Sequence, residues 1–463
     1  MGFGTATEER VRSLRFACHL TDDRRVLVCI FVIALALRLS YAFLQDVAPA
    51  VDARAYNGQA HALLQGCGYV YECGASLRDD ASITRPGILY PLFLAGVYQV
   101  FGDSLRIVWI VQSILDSVTC LFLYAIGRAT FGPAVGLLSS AMAAVTFDLM
   151  IYPAMLLTET FYLFLMTATL LSVFATERSP SWQRSFLAGV LLGLSALTRA
   201  VALGFLGLIT AWRVRRESRV VALVLVAGAI VAIAPWTVRN YKVYGEFPMV
   251  SAGGGVNFWI GNYHGATGES PPTPEVNRFM RENSGYKIDR EGYRQGLAFI
   301  LEYPGEFAKL VAMRFIRTWS VLRTNGFHFH MEGAERIISI TLSAGTSAFL
   351  LSFGLAGFWL GLRESNPLRR CLDLYALSAM IPLLLFFVSA RYRLPLYPAL
   401  IVYAAAGAWK FWEGLKGLGS EGERRKAIRV VGTGVLVVLL ATSFDAVDRL
   451  PEVVARFRSI LSL

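Results

Sequence analysis

Two acids and four arginines are the residues of this chain whose types and positions could do chemistry. Asp52 opens VDARAYNGQAHALLQG directly after the first long apolar run, and Glu159 sits in LLTET at the start of a later one. Arg85 (TRPG), Arg199 (ALTR), and Arg391 with Arg393 (SARYR) stand where apolar sequence gives way to polar. An ionised carboxylate beside a hydroxyl can take its proton, and an unperturbed Asp, with a pKa of about 3.9, is already ionised at neutral pH. Several guanidinium groups together offer planar, permanently charged forks for a phosphate. A reaction in which a hydroxyl attacks while a phosphate leaves would need both.

Each of these residues also has a plainer role open to it. Asp52 precedes a helix-like segment ending at Gly66 and could cap it. Glu159 could answer a helix N-terminal dipole. Any single arginine, Arg239 included, could anchor a helix end among lipid headgroups, and Arg85-Pro86 also suits a helix start. Asp52 and Glu159 on one face could instead hold Mg2+ or Mn2+ through oxygen. Tyr56 and His61 near Asp52, and Asn257, Asn262 and His264 in a Gly-rich stretch, are the candidate substrate-binding residues. His328 and His330 (FHFHME) alternate, but no third metal ligand accompanies them.

These groups are set in a chain that is mostly hydrocarbon. Of its 463 residues 55% are hydrophobic and 17% charged, against about 25% charged for a soluble domain. Apolar runs fall at 26–46, 105–127, 133–151, 155–176, 185–198, 200–212, 220–236, 335–362, 371–389, 394–412 and 427–447. A crossing helix needs about 20 residues, so 185–198 and 200–212 must borrow flanking sequence or be partly re-entrant. With the N-terminus inside and 85–102 an interfacial helix, the basic connections at 127–132, 177–184, 213–219, 362–370 and 415–426 all come out internal. Making 85–102 a crossing would put the next of them outside. The expectation is an all-α polytopic membrane protein with about eleven spans, interfacial helices in the first outer loop, a long fourth outer loop and an external C-terminus. The net charge of +11 belongs to those inner connections and does not form a nucleic-acid stripe. No cleavable signal segment is evident at the N-terminus.

This topology divides the chain into a transmembrane module, 1–236, with its first outer loop at 47–104, an external region, 237–333, and C-terminal helices, 334–463. It also puts Asp52, His61 and Arg85, Asp148 to Glu159, Thr198-Arg199, Arg239 to His330 and Ser389 to Arg393 on one side. Within the spans, Arg38 and Asp116 come out near mid-depth, where charges pair or work, and a structural pair is the preferred reading. The stretch from Asn277 to Trp319 reads as helix-forming and ends in a stripe (Phe307, Leu310, Val311, Arg314, Phe315) that could lie along a membrane. Cys67 and Cys73 share the first outer loop, where an oxidising compartment would permit a disulfide; Cys18, Cys29, Cys120 and Cys371 read as free thiols.

The order and sidedness of VDARAYNGQAHALLQG, TRPGILYPLFLAGVYQVFG, LLTET, ALTR, WTVRNYKVYGEFPMVSAGGGVNFWIGN and SARYRLPLYPAL resemble the GT-C membrane glycosyltransferases. The match is to the bacterial branch related to protein O-mannosyltransferases and the lipid A aminoarabinose transferase, and it covers nearly the whole chain to about residue 410. The resemblance implies the GT-C fold, a bacterial inner membrane, and a site facing the periplasm. It implies a donor sugar on polyprenyl phosphate, inversion at the anomeric centre, and a lipid, glycan or protein acceptor. On it, Asp52 matches the first-loop catalytic acid and Glu159 the second-loop acid. Arg85 takes the place of the basic residue that meets donor phosphate, and Arg391 is a second phosphate candidate. One departure is Gly87, where family members often carry a second proline. With about 16 residues after the last run, acceptor recognition falls to the fourth outer loop. Three rival readings remain: a translocator of lipid-linked glycan, a ligase or polymerase using a diphosphate-linked donor, and a catalytically inactive assembly subunit.

Overall fold

The computed structural model describes residues 5–75, 87–216, 219–247, 250–269, 273–283, 286–322, 331, 333–362, 366–417 and 420–461. Regular structure among them is helical throughout. The order is α1 (Thr5–Gln45), α2 (Asp52–Leu64), α3 (Leu89–Phe101), α4 (Leu105–Phe131), α5 (Pro133–Val145), α6 (Phe147–Ile151), α7 (Thr158–Arg178), α8 (Trp182–Thr198) and α9 (Ala202–Arg215). It continues with α10 (Arg219–Tyr244), α11 (Gly254–Gly261), α12 (Pro274–Glu282), α13 (Lys287–Glu302), α14 (Pro304–Thr318), α15 (Gly333–Gly361), α16 (Pro367–Leu385), α17 (Tyr397–Leu415) and α18 (Glu421–Leu461).

Each apolar run of the sequence forms a helix, but fewer than eleven qualify as crossings by length and composition. Six of the described helices do so, namely α1 from Asp23, α4, α7, α10, α15 and α18 to Leu450, and α5 with α6 makes seven if that bent pair is one span. The others fall short for visible reasons. α8 and α9 are 17 and 14 residues long. α16 carries Arg369, Arg370 and Asp373 in its first turns, and α17 opens on Tyr-Pro and carries Lys410 and Glu413. α3 has 13 residues, about 20 Å of helix at 1.5 Å per residue, too short to cross a core of about 30 Å.

Small residues let the short helix α8 sit tightly on α10. A methyl added at Gly189 would lie 2.0 Å from the Leu225 carbonyl oxygen, and one at Gly228 would lie 2.3 Å from that of Phe186. Close backbone approach is how membrane helices gain contact where water supplies no driving force.

The charges inside the bundle pair with each other. Arg38 of α1 donates from Nε to Asp116 of α4, and it is fully buried. Its other arms donate to the carbonyls of Ala34 (3.1 Å), Ala144 (3.0 Å) and Ala143 (3.1 Å). Ala143 and Ala144 close α5, where the chain bends by 54° into α6, and a helix end leaves such carbonyls without a partner of their own. Arg38 is therefore an ion-pair partner and a cap for a broken helix at once. Asp148, expected among the polar residues of the outer face, is instead buried. It accepts from Tyr397 (2.5 Å), Ser347 (3.3 Å) and Ser343, pinning α6 to α15 and α17.

Cys67 and Cys73 form a disulfide across a tight loop after α2, while Cys29, Cys120 and Cys371 are free. Closing so short a loop restricts the unfolded chain by about 2 kcal/mol. Dithiothreitol should therefore lower the thermal midpoint of the purified protein and leave that of a Cys67→Ser/Cys73→Ser double variant unmoved.

Candidate active site

Asp52 is the first residue of α2 and does not cap it. The cap position is Val51, with φ 48° and no side-chain hydrogen bond. A β-branched residue at positive φ is strained, and such strain persists only where its surroundings enforce it. The Asp52 carboxylate is free to point away from its own helix, and Oδ2 accepts from Arg391 Nη1 at 2.6 Å. Asp52, Tyr56 and Gln59 follow at the spacing that lines one helix face.

Glu159 lies in the first turn of α7, where the helix dipole favours a carboxylate. It also does more than answer that dipole. Oε1 accepts from Arg199 Nη1 at 2.5 Å and from Arg391 Nε. The Thr158 hydroxyl donates to Oε2 at 3.3 Å and accepts from Arg199 at 3.1 Å. The side chain of Glu159 is 1% exposed, against 20% for Asp52, 14% for Arg391 and 11% for Arg199. Glu159 thus anchors the two guanidinium groups from below, and Asp52 is the carboxylate that can meet a substrate.

Arg199 ends α8 on extended backbone, with its guanidinium over the Tyr392 ring at 5.5 Å. Arg391 begins a six-residue 3-10 turn, Arg391–Leu396, between α16 and α17. Burial works against its charge, but the neighbouring Glu159, Tyr56 and Asp52 outweigh that and hold its pKa well above the ordinary arginine value. Among these four residues the charges sum to zero.

The segment that carries Arg391 is held by the region between α10 and α15. Asn262 donates to the Leu385 carbonyl at 2.8 Å, and Arg314 donates to those of Leu384 (2.8 Å) and Gly261. Val388 N–H donates to the Gly268 carbonyl at 2.9 Å. These bonds give two of the expected site residues other work. Asn262 is fully buried, and its amide joins α11 to the end of α16, which leaves it no group for substrate. Arg393 turns away from Arg391 and donates to the carbonyls of Thr318 (3.3 Å) and Ser320 (2.7 Å), the negative end of α14, so its guanidinium is not presented to a phosphate. Arg314 belongs to the stripe expected along a membrane, yet it is buried, because three acceptors for its guanidinium lie inward.

The structure brings Asp52, Tyr56, Glu159, Arg199 and Arg391 together. His61 lies outside this group, with Nε2 3.0 Å from Asp103 and its ring stacked on Tyr98. His264 is exposed beside Glu306 and Tyr303, and Asn257 is half-buried on α11. Arg85, His328 and His330 lie outside the described residues. A divalent ion does not fit Asp52 and Glu159 as arranged, because the Arg391 guanidinium occupies the space between the two carboxylates. No cluster of three or more His, Cys, Asp or Glu suits a metal among the described residues.

Gly87 ties the first loop to this cluster. A methyl there would lie 1.4 Å from the Leu197 carbonyl oxygen, two residues before Arg199. Gly87→Ala must push α3 and the α8 end apart, and misplacement of about 1 Å can cost on the order of 100-fold in rate. A loss of that size in turnover, with the protein still purifying as a folded species, is the expected result.

Residues 85–238 match a family model described as dolichyl-phosphate-mannose-protein mannosyltransferase. The search of curated proteins found no match to this sequence. The structure is similar to the oligosaccharyltransferase of Archaeoglobus fulgidus tethered to an acceptor peptide containing the NVT sequon. The TM-score is 0.55 at 13% identity, over 91% of this chain and 54% of that one. It is similar also to the oligosaccharyltransferase AglB of the same organism in complex with an inhibitory peptide and a dolichol-phosphate, with TM-score 0.52 and 12% identity, over 92% of this chain and 56% of that one. The chain has the GT-C fold. It spans about half the length of these two GT-C proteins, and it is an integral membrane protein. A further GT-C structure, ArnT from Cupriavidus metallidurans bound to undecaprenyl phosphate, aligns at TM-score 0.39 and 14% identity over 85% of this chain and 79% of that one.

Proposed function

We propose that the protein is an inverting glycosyltransferase that moves a sugar from a polyprenyl-phosphate carrier to an acceptor hydroxyl at the periplasmic face of a bacterial inner membrane. The observation that carries this reading is Arg391. One guanidinium joins the first-loop acid Asp52 to the second-loop acid Glu159, with Arg199 alongside on Glu159.

The chemistry follows from that geometry. A donor phosphate competes with Asp52 for the outer arm of Arg391, and its arrival releases the carboxylate. The acceptor oxygen then attacks the anomeric carbon from the side opposite the phosphate. The C1–O bond breaks, and the phosphate leaves with the electron pair. Arg391 and Arg199, held in place by Glu159, stabilise the charge that develops on it. Asp52 takes the proton of the acceptor hydroxyl. The carrier tail stays in the lipid while both substrates meet at one surface, which supplies the orientation term. The acceptor is a lipid, a glycan or a protein of the cell envelope.

The test uses purified protein in proteoliposomes with undecaprenyl-phosphoryl hexoses, and membranes of a strain deleted for the gene as the source of acceptors. Label should pass from the carrier to an envelope product and leave free undecaprenyl phosphate. Movement of intact donor between leaflets without loss of its sugar would instead make the protein a translocator. Transfer only from diphosphate-linked oligosaccharides would make it a ligase.

A further inference from the structure

Three buried side chains of the first outer loop have polar atoms with no hydrogen-bond partner among the described residues: Tyr56 Oη, both amide atoms of Gln59, and Tyr69 Oη. Tyr56 and Gln59 are fully buried, and Tyr69 is 3% exposed. Buried polar atoms are hydrogen-bonded in all but a few cases, and each exception calls for an explanation. Four such atoms, on Tyr56 beside the charged cluster and on two residues near it in the same loop, have a common one.

Their surroundings point the same way. Tyr56 lies within electrostatic reach of Arg391, Asp52, Glu159 and Arg199. Gln59 stands one turn further along the same face of α2. Tyr69 lies within reach of Tyr56, braced by the Trp236 ring at 5.0 Å and by Arg239 over its face at 5.9 Å. On the other side, Tyr56 meets Tyr90 edge-on at 5.3 Å, and Tyr90, Phe93 and Phe161 stack along α3 and α7 toward the apolar exterior. A lipid carrier entering along that aromatic stack would bring its first sugar between the phosphate-binding arginines and these four atoms.

The polar groups define what that sugar is. A primary amide offers donors and an acceptor a bond apart, and a phenol can do either. None carries charge, the charges of Asp52, Glu159, Arg199 and Arg391 sum to zero, and the Arg239 guanidinium is taken up by Asn240, Tyr244 and the Trp236 ring. The complement is a ring with adjacent hydroxyls and no charge of its own. We propose that Gln59 and Tyr69, with Tyr56, read the hydroxyls of the carrier-bound sugar, and that this sugar is a neutral hexose. The inference rests on the donor reading above and specifies its substrate.

Gln59→Leu and Tyr69→Phe keep shape and remove the orphaned atoms, and neither residue touches the reacting groups. Binding is measured for the full chain in nanodiscs with undecaprenyl phosphate alone and with the same carrier bearing glucose, galactose, mannose or glucuronic acid. The wild type should bind at least one neutral hexosyl carrier more tightly than the bare carrier or the glucuronosyl one. Each variant should weaken the preferred hexosyl carrier tenfold or more and change the bare carrier by less than about twofold. The thermal midpoint of each variant without carrier should equal or exceed that of the wild type, because a buried unpaired group has been removed. A lowered midpoint would assign these residues to packing and overturn the proposal. So would hexosyl binding that the variants leave intact, or a wild-type preference for glucuronic acid, with the donor reading still standing. A wild type that binds no undecaprenyl carrier at all would overturn the donor reading and this inference together.

Discussion

Asp52→Asn is expected to lower sugar transfer by about 10²–10⁴-fold, the usual contribution of a general base, with donor affinity no weaker than that of the wild type. Asn keeps the shape of the side chain, and its Oδ1 can still accept from Arg391, so the four-residue cluster survives the change. What it loses is the ability to take a proton. The effect should therefore fall on kcat without raising KM for the donor, because the neutral amide competes less than the carboxylate with the phosphate for Arg391. Glu159→Gln should behave differently. That side chain is buried against two arginines, and removing its charge loosens Arg199 and Arg391 together. Donor affinity, turnover and thermal stability should then all decline. Full transfer by Asp52→Asn at normal expression would refute the base assignment.

The largest effect on stability is expected at Arg38. Arg38→Met leaves Asp116 as an unpaired charge inside the bundle, and breaking one partner of a buried pair costs about 3–5 kcal/mol. Asp116→Leu should cost a similar amount by leaving the guanidinium behind. A simple pair would be nearly restored in the Arg38→Met/Asp116→Leu double variant. Here the restoration should be partial. The Ala143 and Ala144 carbonyls at the end of α5 would still have lost their donors, and a buried acceptor left alone costs about 1–3 kcal/mol. Unfolding in lipid nanodiscs measures all four proteins. A double variant as stable as the wild type would show that Arg38 does not cap the bend, and mild single variants would show that the pair is not structural.

The helices of this protein were legible in the sequence, because hydrocarbon runs and basic connections are properties of short windows. The runs at 105–127 and 155–176 became α4 and α7, and the 85–102 run, expected as an interfacial helix, formed the 13-residue α3. The count of crossings was not legible. Whether α8, α9, α16 and α17 traverse lipid depends on what covers them, and so does the bend that divides the 133–151 run into α5 and α6. Asp52 and Glu159 could be picked out because an acid beside an apolar run is rare.

Which arginine answers them is a different kind of fact. Arg391 and Arg393 are two residues apart in the same SARYR segment and look equivalent as letters. The 3-10 turn sends one to the acids and the other to the end of α14. Asn262 and Arg314 likewise read as loop polarity and a membrane stripe, and packing made both of them clamps on α16. The amino-acid sequence by itself determined that this chain is helical, lives in a membrane and carries its scarce charges at segment ends. Only the tertiary structure decided which of those charges meet, since pairing across hundreds of residues depends on where backbones converge and leaves no mark in local composition.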